Sequence, residues 1–234
     1  MNRLELKLHN KILSVLTRDD VDQSVAAEIF RWREYRSAED VIIKAIDPIV
    51  DVGAHIGLFT LYCRLLNEKV PIYALEPVKE NEYLLKKNIL ENNFSNIETV
   101  LAALSVTSGE GNMIISTDNH RHCLSHSEKI QKNSQKVKTI SLSDLLIKFK
   151  IKKISLLKMD IEGEENELLP NWSDEDFKCV GAIIMEYHNI KKDDCKKIEN
   201  ILRQRGYGVQ NFPSRFDKKL GFMYAAKRGK NKII

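Results

Sequence analysis

The sequence predicts an α/β fold with a mainly parallel sheet between helices, an antiparallel C-terminal strand pair at one edge, and a helical N-terminal extension. Three observations carry this. From residue 47 onward, short apolar runs that end at turn residues alternate with amphipathic stretches. The last two apolar runs have no helix between them, so they should pair antiparallel. Over residues 1–46 the apolar residues recur at helical spacing.

Leu4, Leu8, Ile12, Leu13 and Leu16 set the first helical pattern, and Val25 to Ile46 a second, with a break near Arg36–Ser37. Pro48 to Gly53 is a short apolar run closing in Asp and Gly, as a buried strand entering a turn would. A helix over Leu58–Leu66 follows, then a strand over Pro71–Pro77 and a helix over Lys79–Asn92. Ile97–Leu104 reads as a third strand and Met113–Ser116 as a short one. Thr117–Lys136 is polar and reads as a loop, and Ser141 caps a helix. Ile154–Met159 and Val180–Met185 are the fourth and fifth core strands, with helices over Gly163–Leu169 and Lys191–Arg205. Tyr207–Phe212 and Gly221–Lys227 form the final pair. Strand–helix alternation of this kind builds a Rossmann-like parallel sheet. The expected organisation is an extension over 1–46 and one domain over 47–234.

Apolar residues make up 43% of the 234, enough for one sizeable core. The formal charge of +4 lacks the dense basic stripe of a nucleic-acid binder and supports no such partner. Cys63, Cys123, Cys179 and Cys195 form no Cys-x-x-Cys motif and read as reduced thiols, which with the absence of a signal-peptide pattern predicts a cytoplasmic protein. No apolar run reaches the ~20 residues of a membrane span.

In open α/β sheets ligands bind outside the carboxyl ends of the strands. The segments there are Asp51 to Gly57, Glu76-Pro77, Ala102-Ala103, Asp160 to Gly163, and Glu186-Tyr187-His188. Four of the five carry a carboxylate. Packing gives no reason to gather mutually repelling acids at one edge, whereas a cationic or hydroxyl-rich ligand does. Gly53 and Gly57 bracket a tight turn where missing β-carbons admit a ligand, and the following helix offers free N–H groups. The turn lacks the Gly-x-Gly-x-x-Gly spacing of dinucleotide binders. Glu76, about 20 residues on, ends a strand where an acid can hold ribose hydroxyls.

From about Glu28 to Lys227 the chain resembles the FkbM family of methyltransferases. The matching pieces are Glu28-Ile29-Phe30…Tyr35, Val50 to Gly57, Ala74 to Pro77, Ala102 to Ser105 with Gly109, Leu156 to Glu165, Ile184 to His188, and Gly206-Tyr207. The Lys-x-Asp-x-Glu-Gly block together with the Asp-Val-Gly-Ala turn is a specific combination. His55 departs from the family's frequent Asn. The resemblance implies a class I methyltransferase fold, S-adenosylmethionine as cofactor, and O-methylation of a sugar or small metabolite. By it Gly53, Ala54, His55 and Gly57 flank the methionine part of the cofactor, Glu76-Pro77 meets the ribose, Ala102 lies near the adenine, Asp51 supports the loop or touches the cofactor, and Tyr35 covers the site.

An alcohol is a poor nucleophile at neutral pH and needs a base or a metal. Asp160 and Glu162 are two apart after one strand, and Glu186 and His188 after the next, so each pair points to one side if the backbone stays extended. These four are the candidate catalytic residues. One expectation is Mg²⁺ or Mn²⁺ held by Asp160, Glu186 and His188. Another is His188 as general base. Lys158 reads as a structural ion-pair partner. His120, Arg121, His122 and His126 read as a substrate-facing loop, and Lys191-Lys192 with Lys196-Lys197 as a solvated helix face. Expected partners are a small molecule or glycan, without nucleic acid or a membrane span, and a homodimer is left open. The competing readings are an RNA methyltransferase, which should carry an Asn-Pro-Pro-Tyr-type motif after the fourth strand, a dinucleotide-dependent oxidoreductase, and a non-catalytic nucleoside-binding protein.

Overall fold

The computed structural model describes residues 1–114, 134–190, 193–214 and 219–228, together with the backbone of 123–125. Its first element corrects the sequence reading. Instead of a helix, β1 (Asn2–Leu8) and β2 (Lys11–Thr17) form an antiparallel hairpin turning at His9, which sits at φ +52°. Alternate side chains Leu6 and Leu8, then Leu13, Val15 and Thr17, go inward, and the residues between face outward or to the margin. The helical reading holds from α1 (Asp20–Phe30), whose first N–H groups are capped by Asp19, to α2 (Glu39–Lys44). The break between them falls at Arg33, in the left-handed region, followed by a 3₁₀ turn over Glu34–Ala38.

A seven-stranded sheet forms the centre. Five strands run parallel: β3 (Ile49–Val52), β4 (Ile72–Leu75), β5 (Ile97–Val100), β10 (Ile154–Met159) and β11 (Val180–His188). The antiparallel pair β12 (Tyr207–Pro213) and β13 (Leu220–Lys227) completes the order β12-β13-β11-β10-β3-β4-β5. The mainly parallel Rossmann-like sheet with an antiparallel C-terminal pair at one edge, expected from the sequence, is present. Its connecting helices are α3 (Leu58–Leu66), α4 (Lys79–Glu91), α5 (Leu142–Lys148), α6 (Glu165–Asn171), α7 (Asp174–Cys179) and α8 (Asp194–Gln204).

A second sheet was not foreseen. The expected single strand over Ile97–Leu104 is divided, because Ala102 N–H donates to Val100 O at 2.8 Å and turns the chain away after β5. β6 (Ala103–Leu104) then joins β9 (Ser134–Ile140), β7 (Gly109–Ile114) and β8 (Cys123–Ser125). Thus two strands enter the segment that read as a loop. The histidines at 120, 122 and 126 and Lys191-Lys192 lie outside the described residues.

Strand periodicity divides the packing against the central sheet into two cores, and a small third cluster of Val78, Ala103, Met113 and Val137 lies at the second sheet. Ile49, Ile72, Ala74 and Leu156 face α1, α3, α4 and the N-terminal hairpin, while Val50, Val52, Leu75, Leu157 and Met159 face α5, α6 and α8. The N-terminal segment therefore shares a core with the central sheet. It is fastened by Asn88 and Asn92 of α4. Each side-chain amide accepts from and donates to one residue of β2: Asn88 with Leu16 at 2.7 and 3.2 Å, Asn92 with Ser14 at 2.9 and 2.7 Å. Four helical residues rise about 6 Å and two strand residues about 6.7 Å, so the spacings match. Among the described residues, no helix is long and apolar enough to cross a membrane.

Candidate active site

A cavity of about 1090 Å³ opens where β3, β4, β10 and β11 end. Of the sequence-predicted cofactor residues, Gly53, Ala54, His55, Glu76, Pro77 and Tyr35 line it. All four candidate catalytic residues, Asp160, Glu162, Glu186 and His188, line it as well. Asp51, Gly57 and Ala102 are not on its wall.

The turn after β3 is held by the chain itself. Gly53 is at φ +73°, and a β-carbon there would stand 2.0 Å from the backbone oxygen of Asp160. At Gly57, φ +92°, it would stand 2.4 Å from Leu85. This corrects the expectation that both missing β-carbons admit a ligand: protein atoms use that space. Lys158, almost fully buried, reaches under the same turn and donates to Val52 O and Gly53 O at 3.3 and 2.8 Å. It pairs with Asp51 at 3.3 Å and Asp160 at 3.7 Å. Burial alone would lower the Lys158 pKa, but Asp51 and Asp160 outweigh it and hold the ammonium above its ordinary value. Thr60 donates to the other oxygen of Asp51 at 2.6 Å. Lys158 is thus the structural ion pair that the sequence suggested.

Glu76 closes β4 and is 4% exposed. Its Oε1 accepts from Val78 N–H at 2.9 Å and from the Asn81 amide at 3.2 Å, and its Oε2 accepts from His55 N–H at 2.8 Å. Burial raises its pKa and these donors pull it back part of the way. A carboxylate offers about four lone-pair positions, so Oε2 retains room for a hydroxyl from the cavity. Tyr35 packs edge-on between Phe59 and Phe222, with ring centroids at 4.6 and 5.6 Å.

The ends of β10 and β11 are arranged differently. His188 is engaged through both ring nitrogens: Nε2 lies 3.1 Å from Glu162, and Nδ1 lies 3.1 Å from Glu165. Burial would lower its pKa, but these two carboxylates raise it to about 10. An imidazolium committed at both nitrogens has no lone pair to offer. It fits neither of the roles expected from sequence, general base or metal ligand. Asp160 faces Lys158, and among the described residues no three or more His, Cys, Asp or Glu side chains are grouped to hold a metal ion. The Mg²⁺ or Mn²⁺ site does not fit this donor set.

Glu186 lies within hydrogen-bonding reach of Asp160, and burial followed by the Asp160 charge pushes its pKa up to about 8. Two further carboxylates, which sequence reasoning did not assign to chemistry, line the cavity from the N-terminal side. Burial, Glu28 and Asp160 push Glu34 up to about 7, and Glu28 is raised by burial and Asp160. Glu28 lay in a stretch already noted for its resemblance; Glu34 carried no local signal, because a 3₁₀ turn after a left-handed Arg33 brings it inward. Trp32 and Phe212, 63% and 46% exposed, stand at the cavity lip.

Comparison with known proteins agrees with this geometry. At 26% identity over 180 residues, covering 69% of this chain and 72% of the other, it is similar to Methyltransferase 1 of Beauveria bassiana. At 27% over 168 residues it is similar to the hexuronic acid methyltransferase AglP of Haloferax volcanii, with 69% and 66% covered. At 24% over 216 residues it is similar to the 31-O-demethyl-FK506 methyltransferase FkbM of Streptomyces tacrolimicus, with 80% and 82% covered. Two solved structures share the fold at a TM-score of 0.54 and 11% identity. One is SMU.1697c of Streptococcus mutans in complex with SAH, with 84% of this chain and 98% of that one covered. The other is an rRNA methylase of Streptococcus thermophilus, with 83% and 96% covered. The family model for the methyltransferase FkbM domain matches residues 51–209, more than half of the sequence, and the chain belongs to that family of methyltransferases.

Proposed function

We propose that this protein transfers a methyl group from S-adenosylmethionine to a hydroxyl of a sugar or small metabolite, with the Asp160–Glu186 carboxyl pair taking the hydroxyl proton. The observation that carries the reading is that pair: two acids in contact on the cavity wall, one pushed up to about 8. A carboxylate of such basicity is a stronger proton acceptor than an ordinary one and comes into play as the pH approaches its pKa. Bound cofactor supplies an electrophilic methyl on a sulfonium. Glu76 Oε2 would hold a ribose hydroxyl, and the turn Gly53-Ala54-His55 would face the amino-acid end. Tyr35, fixed between two aromatic rings, keeps water from that region.

The charge of the cavity supports a small acceptor over RNA. Glu28, Glu34, Asp160, Glu162 and Glu186 all line it, and even with Glu186 largely protonated at neutral pH the remaining acids suit a sulfonium better than the phosphates of RNA. The names of two relatives point to a hexuronic acid and to 31-O-demethyl-FK506 as acceptors, in line with a hydroxylated small molecule. The test is to incubate purified protein and S-adenosylmethionine with pooled glycans and hydroxylated metabolites, and to look by mass spectrometry for products heavier by one methylene. Calorimetry should also detect S-adenosylhomocysteine. No uptake of either cofactor form would sink the reading.

A further inference from the structure

We infer that Arg18, at the end of the N-terminal hairpin and outside the matched family region, is a positioning residue for the cofactor site. This rests on the S-adenosylmethionine reading above. The Arg18 guanidinium reaches three side chains at once. It donates to Asp22 at 3.1 and 3.0 Å, to Asn81 Oδ1 at 2.6 Å, and to His55 Nε2 at 2.6 Å. A guanidinium can only donate, so the His55 contact takes the lone pair of Nε2. Both Asn81 and His55 lead to Glu76. With Oδ1 fixed on Arg18, the amide of Asn81 must turn its NH₂ to Glu76 Oε1, and the backbone N–H of His55 donates to Oε2. Asn81 and His55 line the cavity; Arg18 stands behind them.

Arg18 therefore sets the two side chains that aim the ribose-holding carboxylate, and does so from a segment before residue 51. This also gives the His55 departure a physical sense: its ring reaches Nε2 out to Arg18. Asp22, wholly buried, anchors the other end of the fork and holds Arg18 N–H at 2.7 Å. Removing the guanidinium outright would leave Asp22 without its cation, so Arg18→Lys is the informative variant. A lysine can still meet Asp22, but a single ammonium does not reproduce the planar fork to three partners.

The experiment measures S-adenosylhomocysteine affinity by calorimetry and steady-state kinetics on the full chain, in wild type, Arg18→Lys, Asn81→Ala and the double variant. Arg18→Lys is expected to weaken binding about tenfold and to raise the KM for S-adenosylmethionine. It should leave kcat and acceptor KM within about twofold and the melting temperature nearly unchanged. The double variant is expected to lose less than the sum of the two singles, because part of the Arg18 effect passes through Asn81 and the rest through His55. An affinity within twofold of wild type in Arg18→Lys, a loss that only tracks thermal stability, or fully additive losses would overturn the inference. If wild-type protein itself takes up no cofactor, the parent reading has failed, and this role with it.

Discussion

The two halves of the cavity wall are built on opposite principles. At the ends of β3 and β4, charged groups are answered: Lys158 meets Asp51 and two carbonyls, Glu76 meets three donors, and Arg18 meets three acceptors. Where β10 and β11 end, and on α1 and the 3₁₀ turn beside them, Glu186, Glu34 and Glu28 gather near Asp160, and burial together with the Asp160 charge raises the proton affinity of these three. The first half is pre-organised to hold a fixed ligand. In the proposed reaction the second would take up the hydroxyl proton. Even the second half is mixed, since His188 there is saturated by Glu162 and Glu165, so under the proposed function it is the Glu186 carboxyl beside Asp160, and not every group at those strand ends, that would carry the chemistry.

The largest expected effect tests the second half. Glu186→Gln should lower kcat/KM by about 10²–10⁴ while cofactor affinity stays near wild type. In wild type, kcat/KM for the acceptor should rise with pH through about 8, because the pair must lose its proton to act as base. That limb should vanish in the variant, and a persisting limb would move the base elsewhere. Next, Glu76→Ala should weaken S-adenosylhomocysteine about 10- to 100-fold, from one or two lost charge-assisted hydrogen bonds. Unchanged binding would erase the contrast between the halves. Lys158→Met strands buried Asp51 and should destabilise the fold by about 3–5 kcal/mol, read as a lower denaturation midpoint. His188 adds a smaller, pH-dependent term. Its folded pKa of about 10 lies above the ordinary 6.5, so its stabilisation is complete below about 6.5 and is lost as pH rises towards 10. His188→Gln should flatten that part of a stability–pH curve. The smallest effect belongs to Glu34→Gln, which should shift the kcat/KM limb to lower pH by a few tenths of a unit, since one acid near Asp160 is gone.

The first half was largely legible in the sequence, because it is local. Gly53, His55, Glu76 and Pro77 sit beside their own strand ends, and a strand–turn–helix pattern suffices to place them. The second half was legible in composition and not in roles. Asp160, Glu186 and His188 were found, but the commitment of His188 to Glu162 and Glu165 depends on α6 beginning where it does, which no spacing rule reveals. The N-terminal hairpin was misread because Leu4, Leu8, Ile12 and Leu16 satisfy a helical period. The competing two-residue rhythm of Leu4, Leu6, Leu8 and of Leu13, Val15, Thr17 follows the burial more closely. The second sheet escaped because the chain turns out of β5 through a single bond between neighbours, a conformational choice without a marker residue.

The two asparagines of α4 have one more consequence. By occupying both the N–H and the C=O of Ser14 and of Leu16, they turn the outer margin of β2 into a surface already spoken for. An extended segment from another molecule finds no open ladder at Ser14 and Leu16 to zip onto, so a helix closes this stretch of the β2 edge without adding a third strand.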